Sequence, residues 1–106
     1  MVVSRAPEPV KFPISLTYYI SRRNAAIGDT LKQRVDSAVD NYILWQKSAL
    51  GRDIVPSTLV EMVKATGVKR VDMDTILPVF TVLKYYEIGV ADEDDIEIIY
   101  GGLEDD

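Results

Sequence analysis

The side chains with the spacing to do chemistry are few. The acidic run Ala91-Asp92-Glu93-Asp94-Asp95 sets Asp92, Asp94 and Glu97 at intervals approximating a calcium loop. Such a loop needs a glycine within it to turn the backbone, and none lies between Asp92 and Glu97. The plainer expectation is a solvated hairpin tip whose charge keeps a sheet edge from pairing. Asp72 and Asp74 share one face of an expected strand, where paired carboxylates would do proton-transfer or glycosidic work. Alternating Asp on an exposed strand is more often its solvent side. The chain has no His and no Cys, which excludes imidazole catalysis, thiol chemistry, Ser-His-Asp arrangements and structural zinc built from its own residues. No P-loop, nucleophile elbow or Gly-rich phosphate motif occurs. The expectation is a non-enzyme with no catalytic residue, cofactor or metal.

What remains is chemistry of contact. Tyr18-Tyr19 and Tyr85-Tyr86 are paired aromatics on expected strands, so each pair puts one ring inward and one outward. The outward rings, Tyr19 and Tyr85, are candidate interface anchors, since Tyr is enriched at hot spots. Leu44 falls on the polar face of an expected helix beside Ile43 and is a third candidate. Leu103, in the terminal Gly101-Gly102-Leu103-Glu104-Asp105-Asp106, is a fourth: the glycines let the chain leave the sheet and Leu103 anchors it on a partner. The basic pairs Arg22-Arg23 and Lys69-Arg70 are expected in the turn after the first strand and on the outer face of the second, with an acidic partner surface as a further use. The 106 residues carry a formal net charge of -5, unevenly distributed. All 12 Lys and Arg lie in residues 1–86 with 8 acids, whereas residues 87–106 hold 9 acids and no base. Segregation of this kind orients a protein toward a partner, and a pI near 4.6 speaks against nucleic acid.

The elements that must position these residues follow from periodicity. Residues 1–10, with Pro7 and Pro9, read as an extended lead-in from a missing upstream region, and residues 11–106 as a single domain with an acidic C-terminal tail. Phe12, Ile14, Leu16, Tyr18 and Ile20 alternate as the inward row of a strand. Asn24 is placed to cap a long helix reaching Leu50, with Ile27, Leu31, Val35, Ala38, Val39, Tyr42, Trp45 and Ala49 as its apolar stripe and Gly51 as its stop. Pro56 and Ser57 open a second helix ended by Gly67. A strand around Val68, Val71 and Met73 follows, then two more around Ile88 and Ile98 joined at the acidic run. This order predicts an α+β fold with two helices on one face of a small, mainly antiparallel three- to four-stranded sheet. The longest stretch without charge, Phe12 to Ser21, is half of the roughly 20 residues a spanning helix needs, so no membrane is expected.

The stretches Leu16-Thr17-Tyr18-Tyr19-Ile20, Tyr42-Ile43-Leu44-Trp45-Gln46, Leu50-Gly51-Arg52-Asp53-Ile54, Gly67-Val68-Lys69-Arg70-Val71 and Tyr100-Gly101-Gly102-Leu103-Glu104-Asp105 resemble, in this order, the C-terminal part of baseplate J-like proteins of contractile-tailed bacteriophages. The resemblance implies a structural assembly protein of the baseplate wedge, located in the virion tail and assembled in the host cytoplasm. Its implied partners are other wedge proteins and further copies of itself, with no nucleic acid, membrane or small-molecule substrate. From a different class, a regulatory α+β domain binding a small ligand or divalent cation is the alternative.

Overall fold

The computed structural model describes residues 6–105. Phe12, Ile14, Leu16, Tyr18 and Ile20 are all buried, whereas Pro13, Ser15, Thr17 and Tyr19 between them are not. Period two thus produces strand β2, Ile14–Ser21, with one inward row. Pro13, which lacks an N–H, falls in the gap between β2 and a preceding strand β1, Glu8–Lys11. The residues expected as lead-in therefore include a paired strand.

Helix α1 spans Gly28–Lys47 and α2 spans Pro56–Lys64. Leu31, Val35, Ala38, Val39 and Tyr42 of the expected stripe are buried, with Ile27 exposed and Trp45 half-buried. Asn24 caps no α-helix: Arg22–Ile27 winds as a 3₁₀ segment with no buried residue, so no packing holds it to the α-helical period. At the other end α1 stops short of Leu50. The Ser48 hydroxyl donates to the Trp45 carbonyl at 2.6 Å, the Arg52 guanidinium donates to the same oxygen, and Gly51 takes φ +68° in the turn. Pro56 opens α2 as expected.

The remaining strands are β3, Arg70–Val71, β4, Glu87–Val90, and β5, Ile96–Glu104. The α+β class stands, with helices over the inward face of β2, but the pairing is mixed. One sheet has the order β3-β2-β5, with β3 antiparallel and β5 parallel to β2; β1 and β4 form a separate parallel pair. The expected hairpin at the acidic run is absent. Because Glu8–Lys11 takes β4 as its partner, β5 pairs with β2 instead, and residues 91–95 become a crossover containing a 3₁₀ turn, Glu93–Asp95. The strand expected to reach Met73 ends at Val71, where the Asp72 carboxylate accepts the Asp74 N–H at 3.0 Å and turns the chain. Asp72 and Asp74 thus belong to a turn, not to one strand face.

Candidate interaction surface

The surface is set by a buried polar residue. Gln46 is fully buried beneath the α1–α2 connection; its amide donates to the Arg52 carbonyl at 2.8 Å and the Asp53 carbonyl at 3.4 Å, and it accepts from the Tyr42 hydroxyl at 3.3 Å. Burial pushes the Tyr42 phenol up to about 12, and its ring packs edge-on against Phe12 at 6.3 Å between centroids. With its backbone fixed, Asp53 accepts the Leu83 N–H at 3.0 Å, and Ile54 and Thr81 exchange backbone bonds of 2.8 and 2.9 Å. These ties hold an irregular segment on the surface. In it Val79, Phe80, Val82 and Tyr85 are 64%, 60%, 68% and 75% exposed. A row of large apolar side chains in water on a pinned backbone is what an interface core requires.

The four residues singled out from sequence are not brought together. Tyr85 sits at the end of this segment, its ring edge-on to Tyr86 at 5.1 Å. Leu44 lies on α1 beside a cavity of about 470 Å³ shared with Ile43, Ala91 and Ile96, and is 56% exposed. Tyr19 is half-buried, with the Arg70 guanidinium 4.0 Å from its ring centroid. Leu103 is half-buried against the domain's own core. Residues 101–104 do not leave the sheet but form the end of β5; Asp106 lies outside the described residues. Between Tyr18 and Tyr19 the β2/β5 register slips by one, so that Tyr100 faces Tyr18, Gly102 faces Tyr19 and Gly101 is the bulged residue. Strict alternation would turn Leu103 outward; the bulge instead places it beside Ile20 on the core side.

The same slip aims Glu104 at the basic residues. Arg70 Nε and Nη2 each donate to the Glu104 carboxylate at 2.8 Å, Lys69 Nζ stands 3.3 Å from it and 2.6 Å from the Asp105 carbonyl, and Arg22 Nε pairs with Asp105 at 2.7 Å. Arg22, Lys69 and Arg70 thus meet an acidic surface within the chain itself. The Arg70 hydrogen bonds, seconded by Lys69, hold the Glu104 carboxyl down at about 2 against the opposing effect of burial. A depressed carboxyl contributes fully above its ordinary value of 4.5 and loses that contribution as pH falls toward about 2. Hydrogen exchange followed by NMR is therefore expected to show the Leu103 and Glu104 amides losing protection over that acid range. Glu104→Gln should already lack the protection at neutral pH and show no acid transition there; a wild-type profile in this variant would dismiss the clamp. The acidic run is less organised: Lys11 Nζ lies 3.2 Å from Asp92, and among the described residues no three His, Cys, Asp or Glu side chains are grouped to hold a metal.

A family model described as the Baseplate J-like protein C-terminal domain matches residues 13–98. The chain belongs to this family. No curated protein gives a match to the chain. Membership supports a structural, non-enzymatic role in a phage tail baseplate and implies contacts with other baseplate proteins. In this baseplate J-like domain the matched region takes in β2, both helices, β3, β4 and the apolar 79–85 segment, whereas the Gly101 bulge and the clamp's acids, Glu104 and Asp105, lie beyond it. Sequence reasoning passed over Gln46 and, of the exposed row, Val79, Phe80 and Val82. Gln46 stands on the edge of the α1 stripe, where a polar residue reads as solvated. Pro78 interrupts any periodicity in the stretch that follows.

Proposed function

We propose that this baseplate J-like domain is an assembly module of the baseplate wedge in a contractile tail, put together in the bacterial cytoplasm and carried in the virion. It acts by burying the Val79–Tyr85 row and Leu44 against neighbouring baseplate subunits and further copies of itself. The observation that carries this reading is that row, four large apolar side chains each more than half exposed on a backbone tied down at Asp53 and Ile54. Rigid apolar anchors bind with little ordering cost, and the acidic segment 87–106 supplies orientation. Tyr19 and Leu103 contribute by shaping the bulged end of the β2/β5 pair.

The test is co-purification with the products of adjacent tail genes. Tyr85→Asp and Leu44→Asp are each expected to reduce recovery of the complex at least tenfold. Both positions are exposed, so stability should stay within about 0.5 kcal/mol of the wild type. Normal recovery of both variants would remove these residues from the interface.

A further inference from the structure

We propose that the open edge of β5 receives an added strand: an extended segment of another protein whose apolar residues alternate with Lys or Arg. β5 ends the order β3-β2-β5, so one edge of Ile96–Glu104 pairs with β2 and, among the described residues, the other pairs with no strand. Such an edge presents a row of unpaired N–H and C=O groups.

The side chains along this edge are left half-covered in a consistent way. In the parallel register Ile96, Ile98 and Tyr100 lie beside Ile14, Leu16 and Tyr18. The β2 residues are 1%, 0% and 3% exposed, yet Ile96 and Ile98 are only half-buried and Tyr100 is 37% exposed. The inward row of the sheet thus continues onto β5 with its outer flank uncovered. Helix α1 walls that flank. At one end the Lys32 ammonium stands 4.1 Å from the Tyr100 ring centroid, and at the other Ile43 and Leu44 face Ile96 across the 470 Å³ cavity. A strand laid against β5 would complete the ladder and send every second side chain toward α1, one of them under Leu44.

Charge selects the occupant. Asp40 and Glu93 rim the cavity against the single base Lys47, Glu97 is exposed on β5 itself, and residues 87–106 contain no Lys or Arg. Pairing β5 with β5 of a second copy would add a second exposed Glu97 and no base to this edge, Glu104 being already held by Arg70 and Lys69, which like-charge repulsion disfavours. A basic strand gains attraction where a second copy meets repulsion. The inference rests on the assembly reading only for the origin of the segment.

The test therefore uses a synthetic probe and the whole chain. A peptide of alternating Val and Lys is titrated into the isotope-labelled protein and followed by amide and methyl NMR. The expected result is saturable shifts along Ile96–Leu103 and at the Leu44 methyls, with no response to the Val/Glu peptide of the same length. Leu44→Asp should weaken binding at least tenfold while leaving the remaining spectrum in place. The inference is overturned by β5 resonances that do not move, by equal responses to both peptides, by undiminished binding to Leu44→Asp, or by concentration-dependent β5 shifts without peptide, which would assign the edge to a second copy. Co-purification with tail proteins alongside an unresponsive β5 would overturn this inference and leave the assembly reading standing.

Discussion

Replacing Gln46 with Leu should destabilise the domain by about 2–4 kcal/mol, although the side chain is buried and the new residue is apolar and similar in size. The Gln46 amide is the donor for the Arg52 and Asp53 carbonyls and its oxygen is the acceptor for the Tyr42 hydroxyl. Leu leaves these groups without their partner in a site where Gln46 itself is 0% exposed. Each buried polar group stranded in this way costs about 1–3 kcal/mol, offset in part by the gain from burying Leu. Gln46 also packs over Gly89 of β4, where a Cβ would stand 3.1 Å from its Cγ. For a domain of this size the loss corresponds to a fall in Tm of roughly 10–20 °C. Gln46→Glu separates hydrogen bonding from packing. It keeps the shape, but an ionised carboxylate donates to neither carbonyl. Burial would raise its pKa above the unfolded value, so the variant should recover stability as pH falls and the acid becomes a donor. A pH-independent deficit would mean that packing alone is at stake. In either variant the Leu83 amide, held by Asp53 at 3.0 Å, should exchange faster, since the loop that presents Asp53 has lost its tie. Loosening the Val79–Tyr85 row in this way should weaken assembly without touching an exposed residue.

The contrast between what was and was not legible in the sequence has a physical basis. Burial along β2, most of the α1 stripe, Pro56 at the start of α2 and the turn at Gly51 follow from local periodicity and local backbone preference, which the chain carries within a few residues of each site. Strand partnership is not local. Nothing in Ile88 or Ile98 distinguishes pairing with each other from pairing with β1 and β2, and the outcome turned on Glu8–Lys11 becoming a strand. The candidate contact residues divide in the same way. Tyr85 and Leu44 could be placed outside from position alone, whereas Leu103 was expected to leave the sheet and instead stays in it on the core side, an orientation set by the Gly101 bulge two residues earlier. The excess acid after residue 86 was visible as composition. Its use by Arg22, Lys69 and Arg70 of the same chain became visible only once β5 lay parallel to β2.

That slip makes Gly101→Val the second large effect, with an expected cost of about 2–3 kcal/mol despite an exposed position. A Cβ on Gly101 would stand 2.5, 2.7 and 2.9 Å from Tyr19 Cε1, Cζ and Cδ1, distances no real side chain tolerates. The Tyr19 ring cannot simply swing aside, because it lies across the sheet with the Arg70 guanidinium 4.0 Å from its centroid, and Arg70 in turn grips Glu104 with two hydrogen bonds. Gly102, at φ +118°, leaves the next residue no easier route, since L side chains rarely adopt that conformation. Two escapes remain: Tyr19 leaves its place and the Arg70–Glu104 clamp loosens, or the bulge is lost and Leu103 turns to the outer face. Both predict faster exchange of the Leu103 and Glu104 amides, and a double-mutant cycle distinguishes them. If the collision with the ring is the cause, Gly101→Val should cost little more in a Tyr19→Ala background, with a coupling of at least about 1 kcal/mol. Strict additivity would assign the cost to backbone conformation at the bulge. An unperturbed Gly101→Val would show that the ring is not held against Gly101, and with it that the Arg70 stack does not organise the sheet end.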